Sequence, residues 1–233
     1  MKKHVAVILS VGLIVAFTVF GIFFYNTRKN VKKIKVVGMA KKEFEADLLK
    51  WELTLSKRVG LNELKKGYKS LDRMKSNLVK ILGDNDIKKE SITINPINYR
   101  EEYSRNGVSG YILRQPIFII TEEINKLEKM ALSPSELVAK GVIIQKSKLN
   151  YFNSRLDSVK KEILSAAAKN AKSRAEKMVE ESGSSLKKLI SIRQGVFQIT
   201  EPYSTEVSSR GIYNTDSKVK EIRVTVHAEF GIE

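Results

Sequence analysis

"LSAAAKNAKSRAEKMVEESG", Leu164 to Gly183, reads as one long helix whose apolar side is built from small residues. On a helical wheel Leu164, Ala167, Ala168, Ala171, Ala175, Met178 and Val179 gather on one side. Lys161, Glu162, Lys169, Lys172, Glu176 and Glu180 gather on the other. A core-facing helix usually carries Leu or Ile where this one has alanine. Alanine is the best intrinsic helix former, which accounts for the helix but not for alanines collected on one side. Small side chains let two backbones approach, so Ala167, Ala171 and Ala175 mark a close-packing face. Its partner is either the chain's own β-sheet or a second copy of the helix, and the sequence leaves that choice open.

Working outward, this helix runs from about Asp157 to Ser182 and Gly183 ends it. "GVIIQKSKL" before it is a strand, and Leu186–Thr200 and Val219–Phe230 read as a closing pair of strands. The polar stretch "EPYSTEVSSRGIYNTDSK" between those two is expected to be the mobile loop. Nearer the N-terminus, Ile34–Val59 reads as two strands, with Trp51, Leu53 and Leu55 alternating with Glu52, Thr54 and Ser56. Leu61, Leu64, Tyr68, Leu71, Met74, Leu78 and Leu82 then recur at helical spacing, with Gly83 as the expected C-cap. A hairpin follows, with Ile92–Tyr99 and Tyr111–Ile120 as arms and Asn106-Gly107 as a type I′ turn. Pro96 and Pro116 lack ladder donors, so these strands are expected at an edge or bulged there. Ile124 to Leu132 is a short helix.

The pattern strand, long helix, strand pair is therefore passed through twice, in Trp51–Ile120 and Val142–Phe230. The expected fold class is α+β: a mainly antiparallel sheet with two long helices packed on one face, plus an N-terminal transmembrane helix.

That last element is read from "VAVILSVGLIVAFTVFGIFF", Val5 to Phe24, which carries no charge. At about 1.5 Å per residue it reaches roughly 30 Å, the thickness of a bilayer core. Lys2 and Lys3 precede it, and Tyr25 sits at its far edge. Cleaved signal peptides have shorter apolar cores and a small-x-small site, which "VFG" at Val19–Gly21 supplies poorly. The expected organisation is an anchor (or uncleaved signal sequence) at 1–25, a basic stalk at 26–33 and one α+β domain at 34–233. Arg28, Lys29, Lys32, Lys33 and Lys35 follow the span and are candidates for lipid-headgroup contact. Counted alone, they would put the C-terminal side in the cytoplasm, so charge leaves the orientation undecided.

Forty-two Lys and Arg against 26 Asp and Glu give a net charge of +16. The absence of Cys excludes disulfides and Cys/His zinc sites. Of the two histidines, His4 lies on the anchor and His227 in the middle of a strand, so a hydrolase triad has little to draw on. No Walker loop or GxGxxG is present. The acidic doublets Glu101-Glu102, Glu122-Glu123 and Glu180-Glu181 are consecutive, which on a strand sends two carboxylates to opposite faces. Catalytic residues, a metal and a cofactor are therefore not expected. The basic doublets are spread along the chain and interleaved with acids, so nucleic acid is not expected as a partner either.

"AAAKNAKSRAEKMVEESGSSLKKLISI", Ala166 to Ile192, resembles the signature helix and following strand of the SIMPL-domain family, with Arg174, Ala175, Glu176, Gly183 and Leu186 matching in order. Gly38, Ala46-Asp47, the helix ending in "LG" and Gly110-Tyr111 extend the resemblance over roughly Ile34 to Phe230. Ala40 stands where the family often has a second Gly and Ala46 where Pro is usual, and "DSKVKEIRVTV" lacks the frequent Pro-Gly. The resemblance implies a protein exported across the cytoplasmic (inner) membrane with its bulk on the extracytoplasmic, periplasmic side; together with the apolar run and the missing catalytic constellations, the expectation is a single-pass, non-enzymatic protein. The resemblance further implies a homo-oligomer linked to envelope integrity and oxidative-stress tolerance. Two other readings stand beside it: an adaptor recruiting a protein or polyanionic envelope partner through a basic surface, and an unrecognised hydrolase.

Overall fold

The computed structural model describes residues 2–27 and 32–233, with the side chains of residues 2–6, 9, 26 and 27 outside the described set. Helix α1 spans Lys2–Thr27, so the apolar N-terminal run is helical. Among the described residues no helix is long and apolar enough to cross a membrane. The expected transmembrane helix is therefore not found among them.

Strands β1 (Lys33–Glu45) and β2 (Leu48–Gly60) follow, then α2 (Leu64–Asp84), β3 (Ile92–Ile94), β4 (Asn98–Ser104) and β5 (Gly107–Thr121). Next come α3 (Ile124–Leu132), α4 (Ser135–Ala139), β6 (Ile144–Phe152), α5 (Leu156–Glu180) and β7 (Leu186–Gln194). Strands β8 (Gln198–Thr200), β9 (Ile212–Tyr213) and β10 (Val219–Ile232) close the chain. The class is α+β and almost wholly antiparallel, the β8–β9 pair being parallel.

The single sheet expected from the pattern is instead, among the described residues, two sheets of five strands. One has the order β1-β10-β8-β9 with β7 beside β10, and the other β3-β5-β2-β6 with β4 beside β5. Strand pairing is non-local, so alternation reveals each strand but not which sheet receives it. By internal contacts the chain also divides into two compact units: residues 1–39, 167–194 and 226–233, and residues 40–166 with 195–225. Helix α5 and strands β1 and β10 contribute residues to both.

The larger unit is built on β2, whose alternate residues Leu49, Trp51, Leu53 and Leu55 are buried. They share a core with Leu71, Met74, Leu78, Ile81 and Leu82 of α2, Leu113, Ile117 and Ile119 of β5, and Leu127 and Met130 of α3. The indole N–H of Trp51 is satisfied at the edge of that core, donating to Ser147 Oγ at 2.8 Å. The smaller unit has its own core of Val36, Ala171, Ala175, Ala228 and Phe230, flanked by Ile34 and Leu186.

Four local expectations need correction. Helix α2 runs past Gly83 to Asp84, and it is Asp86, at φ 63°, that takes the left-handed conformation in the turn beyond. Aspartate tolerates that region through its short polar side chain, so the glycine was not needed there. In the β4–β5 hairpin only Gly107 has positive φ (103°), so the connection ends in a glycine bulge and not in a type I′ turn. Pro116 lies in an interior strand, paired with Thr54 of β2. Its carbonyl accepts from Asn95 N–H at 3.0 Å, so its missing donor faces the break between β3 and β4, where no ladder bond is required.

The fourth concerns residues 201–218, which are tied down. Gln198 donates to Ser208 O at 2.7 Å and accepts from Ser208 N–H at 3.3 Å. Asn214 donates to Glu201 at 2.8 Å, and Lys220 donates to Asn214 O at 2.7 Å.

Candidate functional site

Ala167, Ala171 and Ala175 are fully buried. The surface they meet is strand β1. A Cβ built at Gly38 would lie 2.4 Å from Ala167 O, 2.5 Å from Ala171 N and 2.7 Å from Ala171 Cβ. Real Cβ atoms do not come so close to backbone, so this position needs glycine because helix and strand backbones nearly touch. One residue along, Met39 N–H donates to Asn170 Oδ1 at 3.1 Å, locking β1 and α5 in register. The partner of the alanine face is thus the chain's own sheet, and a helix–helix interface is not what these alanines serve.

The five basic residues expected near a membrane do not act as one group. Arg28 and Lys29 lie outside the described residues. Lys32 is exposed, and its carbonyl accepts from Ile232 N–H at 3.0 Å. Lys33 and Lys35 both reach Glu229 of β10, at 2.9 and 3.0 Å. Hydrogen bonds from these two ammonium groups hold the Glu229 carboxyl below the ordinary glutamate range. They clip β1 to β10 on the sheet face that α5 does not cover.

That uncovered face carries an open groove of about 540 Å³, lined by Lys35, Val37, Ser191, Arg193, His227 and Glu229. His227 pairs across the ladder with Arg193, and Glu229 with Ser191. A serine, a histidine and a carboxylate therefore share one surface, which is the raw material of a hydrolase site. Among the described residues no hydrogen bond links them, and the carboxylate is committed to Lys33 and Lys35. A nucleophile needs a base within hydrogen-bond reach and an orienting group behind it, and neither relationship is made here. Among the described residues no group of three or more acidic or histidine side chains is placed to hold a metal ion.

Sequence reasoning missed two polar positions of the larger unit. Lys220 is completely buried. Its burial drives its pKa down to about 8, with Asp216 acting weakly in the other direction. The signal was present in the sequence: Lys220 heads the alternating row Ile222, Val224, Val226, Ala228 and Phe230. Asp47, in the turn between β1 and β2, accepts from Ser154 N–H at 2.6 Å and Ser154 Oγ at 2.7 Å, fixing the turn that leads into α5. Burial alone would raise the Asp47 carboxyl, but the Ser154 bonds and the charge of Arg155 outweigh it and leave the carboxyl below its ordinary range.

Strand β7 is a third such feature. It pairs with β10 alone among the described strands, and Lys187 to Gln194 are all exposed. Leu189, Ile190 and Ile192 are 48, 49 and 48% exposed, Leu189 and Ile192 opposite Phe230 and Ala228 and Ile190 at the bulge between them.

No curated protein matches this chain significantly. Among solved structures, a hydrolase from Listeria innocua aligns over 80% of this chain and 91% of its own, at 9% identity and a TM-score of 0.23. A similarity that low carries no argument about fold or activity. The family comparison is decisive: the family described as SIMPL, protein of unknown function (DUF541), matches residues 34–230, and the chain belongs to it.

Proposed function

We propose that this protein is a non-enzymatic, membrane-tethered SIMPL protein of the cell envelope that self-associates and supports envelope integrity under oxidative stress. The observation that carries self-association is β7. A long edge strand paired on one side only, with three half-exposed apolar side chains, is a template for another strand. Antiparallel pairing of β7 with β7 of a second copy would be isologous, so each copy would satisfy the other's edge. Support for the tether comes from the charge-free run Val5–Phe24 within α1. The extracytoplasmic placement and the stress role rest on family resemblance.

The test is the absolute mass of the full-length, detergent-solubilised protein by light scattering, beside the double variant Ile190→Lys/Ile192→Lys. A discrete oligomer that the variant reduces to monomer is expected. A monodisperse wild-type monomer at high concentration would sink self-association.

A further inference from the structure

The second sheet has one face covered by α2 and α3, and the residues alternating with that core point the other way. On β2 these are Lys50, Glu52, Thr54, Ser56 and Arg58, opposite Ile120, Phe118, Pro116, Arg114 and Ile112 of β5. Strand β6 adds Lys148 beside Glu52 and Lys146 beside Thr54. Strand β4 adds Asn98 beside Arg114 and Arg100 beside Ile112. All belong to the larger unit.

The charges on this face fall into two clusters. At one end Lys50 bonds Glu52 at 2.7 Å, Lys146 and Lys148 act on the same carboxylate, and Lys148 also reaches Asp216 at 3.4 Å. At the other end Arg58, Arg100 and Arg114 sit on three adjacent strands with Glu102, which pairs with Arg58 at 2.8 Å. Among the described residues Arg100, Arg114 and Lys146 have no ion pair. Arg114 Nε is buried without an acceptor, a donor that the fold leaves unanswered.

From Lys50 to Arg58 along an extended strand is about 27 Å. A small anion would occupy one cluster only, and small-molecule sites are concave, whereas this face is an open sheet. An occupant that meets both clusters is long. Guanidinium forks match phosphate oxygens two at a time, and three arginines on neighbouring strands suit repeated phosphates. Between the clusters lie Phe118, with Lys50 Nζ 4.8 Å from its ring centroid, and Pro116, an uncharged strip that a chain anchored at both ends crosses. The aromatics on this face, Phe118 and, at the lysine end, Phe152 packed against Tyr213 at 6.3 Å, do not form a continuous run of stacking platforms for bases.

We propose that this face binds a linear polymer bearing a phosphate on each repeat and no bases, laid along β2 from the lysine to the arginine cluster.

The experiment titrates full-length protein in detergent micelles with long-chain inorganic polyphosphate, and in parallel with triphosphate, poly-glutamate, single-stranded DNA and phosphatidylglycerol vesicles. Polyphosphate is expected to bind most tightly, with affinity falling steeply as salt rises. Arg100→Glu and Lys146→Glu, both at exposed positions at opposite ends, should each weaken it by about tenfold or more. Lys65→Glu and Lys69→Glu on α2 should leave it unchanged. Equal losses from the α2 variants would show general attraction to a basic protein and overturn the proposal. So would triphosphate binding as tightly as the polymer, or poly-glutamate, DNA or vesicles binding as well as polyphosphate. Arg114→Gln can perturb folding, so its thermal midpoint is measured alongside. The exposed variants decide the question without it.

Discussion

Gly38 of β1 stands so close to Ala171 of α5 that a methyl group at position 38 would lie 2.5 Å from the Ala171 amide nitrogen and 2.7 Å from its Cβ. The glycine and the alanine are two halves of one packing solution, in which each gives up side-chain volume so that strand and helix backbones can meet. The helix signature and the small residue far upstream of it are thereby explained by the same contact.

Gly38→Ala should destabilise the protein by about 2–4 kcal/mol, because the added methyl meets Ala167 O and Ala171 N and neither can move without displacing the helix. Adding Ala171→Gly should not rescue it, since the obstruction is backbone. Chemical denaturation of the three proteins checks this, and rescue would show that side-chain crowding alone sets the limit.

Asp47→Ala should cost about 1–2 kcal/mol near neutral pH, through loss of both Ser154 bonds. The folded carboxyl is depressed, so its contribution is present above the unfolded aspartate pKa and fades as pH falls through the folded value. The difference between wild type and variant should therefore shrink on acidification. Paired urea titrations at neutral and acidic pH measure it.

Lys220 has the opposite sign. Its folded pKa, about 8, lies below the unfolded lysine value, so the unfolded chain holds more protons between the two. Stability should rise with pH across that window, by about 3 kcal/mol at most from this group. Lys220→Met should flatten the rise. Thermal midpoints from pH 7 to 10.5 would show it, and parallel profiles for the two proteins would mean that the burial is relieved in solution.

His227→Ala and Ser191→Ala should each change stability by no more than about 0.5 kcal/mol, as exposed positions do. Neither should affect ester or peptide turnover, because no hydrogen bond joins the two side chains. An activity in the wild type that His227→Ala abolishes would overturn the non-enzymatic reading.

The alternation in Trp51–Leu55 and the helical spacing from Leu64 to Leu82 were legible, because each periodicity is set by local geometry and one buried face. Gly83 and Asn106-Gly107 misled because several residue types serve a turn, and the surrounding strands and helices choose among them. Residues 201–218 look loop-like from composition, yet their restraint comes from Gln198, Glu201 and Lys220, whose positions only the assembled sheet supplies. Leu186–Thr200 reads as one strand of a closing pair, but it is β7 and β8, and nothing local says that β10 is β7's only partner among the described strands.

Local pattern was enough for the α+β class, the presence of alternating strands and of amphipathic helices, the absence of thiol chemistry, and the small-residue face on α5. Those properties follow from chain-local steric and hydrophobic periodicity. Only the tertiary structure decided that the strands form two sheets, that the alanines meet Gly38 of the same chain, that Lys220 is buried, and that two cationic clusters share one open face. Each of these depends on which distant segments pair, and pairing is set by the summed burial of the whole chain.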